Sequence, residues 1–285
     1  MAKRVDVPLA WAHKDIEQRL FFRGARFTRV NSVLSAILAL LLTIIFYVAL
    51  IPLEGRYFAE MFTKQGFIPY AIVFFSAWSL VILFIKSRKL ALQRKSLKYA
   101  VIPDQVDFVL SAGNVDAVVD RMYRIVDEPK YFVLFNRIAV ALANLRNLGR
   151  VGDVDEILKS QAESDESSVE TSYSLVGGFI WAIPVLGFIG TVLGLSTAIG
   201  GFGSVLEQTD DMEQIKGALK GVTGGLSTAF LTTLQALVAA LFIQLLLTFI
   251  KKSEQEFLDE CSQYCTQHIV NRLRIMPFER VGQDH

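Results

Sequence analysis

The sequence predicts an all-α, polytopic membrane protein: four transmembrane helices, with a helical cytoplasmic region between the second and third. Three observations predict it. Of the 285 residues 52% are hydrophobic. Four long stretches, 30–53, 65–85, 171–205 and 221–250, carry no charged residue at all. Lysine and arginine crowd the ends of those stretches on one side only. A formal net charge of +1 excludes the strongly basic surface of a nucleic-acid binder.

Each stretch exceeds the about 20 apolar residues that a helix needs to cross a bilayer core of roughly 30 Å. The first is expected to span rather than act as a signal peptide, because a long charged segment precedes it and no small-residue cleavage site follows. That preceding segment carries Lys3, Arg4, Lys14, Arg19, Arg23, Arg26 and Arg29. Within it, 13–29 sets Ile16, Leu20, Phe21, Phe22 and Phe27 among arginines and reads as an interfacial amphipathic helix.

Basic residues also follow the second stretch (Lys86, Arg88, Lys89, Arg94, Lys95, Lys98) and the fourth (Lys251, Lys252). The two remaining connections are balanced or acidic: Glu54, Arg56, Glu60 and Lys64 in one, and Glu207, Asp210, Asp211, Glu213, Lys216 and Lys220 in the other. The positive-inside rule then puts both termini in the cytoplasm and both short loops outside. The expected organisation is a cytoplasmic amphipathic segment at 1–29 and a first helical hairpin at 30–85. A cytoplasmic helical region follows at 86–170, a second hairpin at 171–250, and a cytoplasmic helix at 251–285.

The region 86–170 has helical spacing in Val118, Met122 and Ile125, and again in Leu134, Ile138, Leu142 and Leu145. Gly149 reads as a helix stop and Asp153 as the next cap. Its basic start and acidic end (Asp153 to Glu170) either pair across folded-back helices or form solvated faces. The second stripe needs a packing partner. Phe257, Cys261, Tyr264 and His268 in the tail offer a matching one, so mutual burial is expected. Cys261 and Cys265, one turn apart, read as small apolar packing residues, and neither they nor His13, His268 and His285 have metal-ligand spacing.

The first two spans are bulky, rich in Leu, Ile, Phe and Val. The last two differ. Pro184, Gly187, Gly190, Gly194, Thr197 and Gly201 mark the third, and Ala229, Thr233, Ala236 and Ala240 the fourth, at spacings that suit close helix packing. Beside the small face of the fourth runs a polar one, Thr228, Thr232 and Gln235. Thr191 and Thr233 lie at matched depth, 14 and 12 residues from the outer ends of their stretches at 205 and 221. At 1.5 Å per residue that is about 20 Å below the surface. A ring of such hydroxyls around an axis would be an ion pathway. No Asp, Glu, Lys, Arg or His lies inside any span, so a proton-carrying carboxylate must come from a partner. No nucleophile–base set and no phosphate loop is present, and an enzyme is not expected.

The stretch Trp181-Ala-Ile-Pro-Val-Leu-Gly-Phe-Ile-Gly-Thr-Val-Leu-Gly194 resembles the third-span motif of the MotA/TolQ/ExbB proton-channel family. Ser227-Thr-Ala-Phe-Leu-Thr-Thr-Leu-Gln-Ala-Leu-Val-Ala-Ala240 is similar to its fourth-span motif, and Thr191 and Thr233 fall on its pore threonines. The likeness is specific over residues 174–250 and topological before them. Thr228 departs from it, standing where ExbB-like members often carry glutamate. The resemblance implies a homopentameric ring around the single spans of two MotB/TolR/ExbD-like partner chains, whose aspartate carries the ion. It implies a motor stator in a bacterial inner membrane, in contact with membrane lipid, conducting H⁺ or Na⁺ with no other cofactor. Residue chemistry alone leaves a second reading open, a non-conducting oligomeric scaffold.

Overall fold

The structure, a computed structural model, describes residues 7–11, 15–19, 24–103, 108–148, 151–208 and 212–273. Among them the elements are helical: α1 (Ile16–Arg19), α2 (Ser32–Leu50), α3 (Tyr57–Thr63), α4 (Ile68–Arg94), α5 (Val115–Ile125), α6 (Val133–Leu148), α7 (Val151–Ser172), α8 (Ser174–Gln208) and α9 (Met212–His268). Four of them are long and apolar enough to cross a membrane: α2, α4, α8 and α9. The chain divides into two units, a membrane unit (Ser32–Phe84 and Tyr173–Phe249) and a charged unit (Met1–Asn31, Ile85–Ser172 and Ile250–His285).

In the membrane unit, α2 and α4 form the first hairpin. Pro69 sits in the first turn of α4, where its missing N–H costs nothing. The connection holds α3, a seven-residue helix bracketed by Gly55 and Gly66, both at positive φ (89° and 77°). Aromatic contacts tie α3 back to α2, with Phe62 edge-on to Phe46 at 5.3 Å. Trp78 of α4 donates to Ser35 Oγ of α2 at 2.9 Å, so the indole N–H is satisfied inside the hairpin. The second hairpin is α8 with the membrane part of α9.

The charged unit has a packed apolar core. Leu134, Ile138, Leu142 and Leu145 of α6 are all buried, as are Val118 and Met122 of α5. From α9 the buried stripe is Phe257, Leu258, Cys261 and Cys265, continued by Ile269 just after the helix. Tyr264 and His268 lie on its half-exposed flank and stack on each other at 4.2 Å. Burial pushes the Cys265 thiol up to about 12, and raises Cys261 as well. Both are packing residues.

Several local expectations change. Among the described residues of segment 13–29 the helix is only α1, and Asp15 and Glu17 are buried, which does not fit an interfacial helix there. Glu17 accepts from the equally buried Lys89 Nζ at 2.6 Å, so these acids face a cation inside the unit rather than a lipid surface. Leu20, Phe21 and Phe22 lie outside the described residues, as do Lys3, Arg4, Lys14, Arg23, His13, His285, Gly149, Asp210 and Asp211. Asp153 falls within the first turn of α7, not at its cap, because the helix begins two residues earlier.

The charge pairing is also redistributed. The basic start of the region pairs with the N-terminal segment and α9: Lys89 with Glu17, Lys86 with Glu254 at 3.5 Å, Arg94 with Glu256 at 3.6 Å. The acidic α7 pairs instead through Asp165 with Arg137 at 2.7 Å and through Glu170 with Lys251 at 2.7 Å. Helix α4 continues past Lys86, where Lys86, Lys89 and Arg94 find carboxylate partners and no Pro or Gly interrupts it before Arg94.

Candidate functional site

The α8–α9 pair is built on missing side chains. A methyl group placed on Gly187 would lie 2.6 Å from Ala236 Cβ and 3.2 Å from Thr233 Cα. On Gly190 it would lie 2.7 Å from Thr232 Oγ1, and on Gly194 3.2 Å from Ala229 Cβ. Gly225, on the other helix, is as tightly placed against Ala198 at 2.6 Å. Ala229, Ala236 and Ala240 are buried at 2%, 0% and 6% exposure. Pro184 lies inside α8 and removes the donor that the Ile180 carbonyl would otherwise receive.

The polar residues divide into two sets. Thr232 and Gln235 are buried inside the protomer. Thr232 Oγ1 donates to Ala229 O at 2.9 Å in its own helix, against Gly190. Gln235 Nε2 donates to Met61 O of α3 at 2.7 Å, on a different side of α9 from Gly187. Thr191, Thr228 and Thr233 are half-buried. Thr191 Oγ1 donates to Phe188 O at 2.6 Å, and Thr233 Oγ1 crosses to Gly187 O of α8 at 3.0 Å. Each of these two hydroxyls gives its proton to a carbonyl and keeps oxygen lone pairs free to accept. The antiparallel register, with 190 beside 232 and 194 beside 229, leaves Thr191 and Thr233 only about 3 Å apart in depth.

That depth differs from the one counted along the uncharged stretches. The added methyl on Gly190 would lie 3.4 Å from Ile68 Cγ2, at the start of α4, and Gln235 reaches α3. The first hairpin therefore ends at the level of Gly190, Thr232 and Gln235, beside the two threonines. Counting failed because the second hairpin runs on past this loop, still without charge. Its far part, where Leu195, Ile199, Leu219 and Leu226 are 42%, 58%, 54% and 38% exposed, is not covered by the first hairpin. A methyl group placed on Gly200, Gly201, Gly203, Gly217, Gly221 or Gly224 there would meet nothing within 4 Å.

Sequence reasoning did not single out Met61 or Ile68, the first-hairpin residues at this level. The aromatic run Tyr57, Phe58 and Phe62 between two glycines was the available signal for α3.

Among the described residues no cluster of His, Cys, Asp and Glu could hold a metal. Four helices long and apolar enough to span, two of them closely packed and hydroxyl-bearing over uncharged stretches, define the class as multi-pass membrane protein. Residues 134–263, from α6 into the last part of α9, match the model of the MotA/TolQ/ExbB proton channel family. The match takes in every threonine of the site and begins well before the motifs at 181–194 and 227–240. Comparison with curated proteins and with solved structures gives no match.

Proposed function

We propose that the chain is the pore-ring subunit of a stator driven by ion-motive force. Five copies surround the single spans of two MotB/TolR/ExbD-like chains in a bacterial inner membrane. Both termini of the ring subunit are cytoplasmic, as the basic flanks of the spans require. The ion is H⁺ or Na⁺. One observation carries the reading: the far part of the α8–α9 hairpin is apolar, exposed and uncovered by its own first hairpin. An apolar helical pair of this kind needs neighbours, and copies of itself around a central helix supply them.

The chemistry follows from the two half-buried hydroxyls. Threonine does not titrate, and no Asp, Glu, Lys, Arg or His lies in the four uncharged stretches. Thr191 and Thr233 thus act as acceptors, for the protonated carboxyl of the partner's aspartate or for a partly dehydrated cation. The carboxylate carries the charge past them. Thr228 adds a third oxygen on the same helix as Thr233. Each unit charge crossing yields about 2.3 kcal/mol per 100 mV, so repeated passages supply mechanical work.

Co-expression with a candidate partner, one helix bearing an aspartate, tests the assembly. Native mass spectrometry in mild detergent is expected to give five copies of this chain with two of the partner. A monomer or dimer with the partner present contradicts the proposal. A ring that forms but never conducts favours the scaffold.

A further inference from the structure

An apolar groove of about 760 Å³ opens on the side of the membrane unit between α2, α3, α4 and α9. Phe46, Phe58, Phe62 and Val238 line it, together with two polar residues, Ser76 and Gln235. Both polar residues have a buried atom without a hydrogen-bond partner, Gln235 Oε1 and Ser76 Oγ. Gln235 is only 6% exposed, and its Nε2 is already committed to Met61 O.

We propose that this groove seats one phospholipid, with an acyl chain along the apolar walls and a head-group donor on Gln235 Oε1. Three observations favour a lipid. The volume lies in the range of ligand sites, and the walls are apolar, so in a bilayer hydrocarbon fills the groove rather than water. An acceptor left unpaired in such surroundings is costly, so the occupant brings a donor. Finally, Gln235 bonds to α3, whose Tyr57, Phe58 and Phe62 form an aromatic belt of the kind found at the head-group level. The exposed face of α2 on a second copy (Ile37, Leu41, Ile44, Val48) would fill space but offers no donor.

The inference does not rest on ion conduction. Purified protein is exposed to an equal mixture of phosphatidylethanolamine, whose head group donates, and phosphatidylcholine, whose head group does not. Native mass spectrometry reads what is retained. One ethanolamine lipid per protomer is expected, favoured about tenfold, the worth of one such hydrogen bond. Gln235→Leu should keep a lipid and lose the preference. Ala239→Phe fills the groove and should lose the lipid. A photo-cross-linking residue at Val238, 58% exposed at the groove rim, guards against misfolded variants. Adducts with lipid support the proposal. Adducts with a second copy of the chain, no retained lipid in the unaltered protein, or unchanged retention in Ala239→Phe would overturn it.

Discussion

Asp165→Ala is expected to destabilise the charged unit by about 3–5 kcal/mol, a large share of the stability of any domain. Arg137 and Asp165 are 1% and 3% exposed, and their bond joins α6 to α7 at 2.7 Å. Arg137 also donates to Ser262 Oγ of α9 at 2.8 Å, so one guanidinium ties three helices. Removing the carboxylate leaves a cation buried with only neutral partners. The pair itself contributes little against an apolar replacement, since taking both charges out of water costs about what their attraction returns. The double variant Arg137→Met, Asp165→Leu should therefore recover most of the loss. Thermal unfolding in detergent, followed by circular dichroism and limited proteolysis, reads both effects. Equal destabilisation by the single and double changes would mean that the pair is required for more than charge balance.

Gly187→Leu is expected to separate α8 from α9. Even a methyl at this position meets Ala236 Cβ at 2.6 Å and a backbone carbon, Thr233 Cα, at 3.2 Å. Neither can swing aside. Overpacking of this kind costs about 1–3 kcal/mol or more, against about 1 kcal/mol gained in helix propensity when glycine is replaced. The contact wins, and the Thr233 bond to Gly187 O is lost with it. Gly221→Ala is the matched control, because its new methyl meets nothing within 4 Å of the same chain. Within the protomer it should be neutral or slightly stabilising. Melting temperatures of the two variants in detergent give the comparison, and an unchanged Gly187→Leu would contradict the packing described here.

Much of this was legible in the sequence, for a physical reason. Charge is so costly in hydrocarbon that its absence marks α2, α4, α8 and α9 without any pattern analysis. The small residues of α8 and α9 likewise announced a close pair, because nothing but a missing side chain lets two backbones approach. Depth was not legible. Uncharged length measures the membrane only where the helix faces lipid, and the α8–α9 hairpin continues apolar beyond the α3 loop. The fate of individual charges was hidden as well. Asp15 and Glu17 look like solvated N-terminal residues until Lys89, far along the chain, folds against them. Gln235 read as part of a polar row with Thr228 and Thr232, but its rotamer turns to a backbone carbonyl of α3 that no local pattern foretells.

The most direct test of the account is ion flux through the ring and partner reconstituted in vesicles under an imposed membrane potential. Thr191→Val and Thr233→Val keep side-chain shape and remove the hydroxyl, with its acceptor oxygen and its bond to Phe188 O or Gly187 O. A hydrogen bond to a charged group is worth about 1.5–3 kcal/mol, so each change should slow flux about tenfold or more, with the double variant near background. Thr233→Ser, which keeps the hydroxyl, should retain most of the flux. Ring and partner stoichiometry should stay as in the unaltered protein throughout. Undiminished flux in the double Val variant, with that stoichiometry intact, would contradict the assignment of these hydroxyls to the ion pathway.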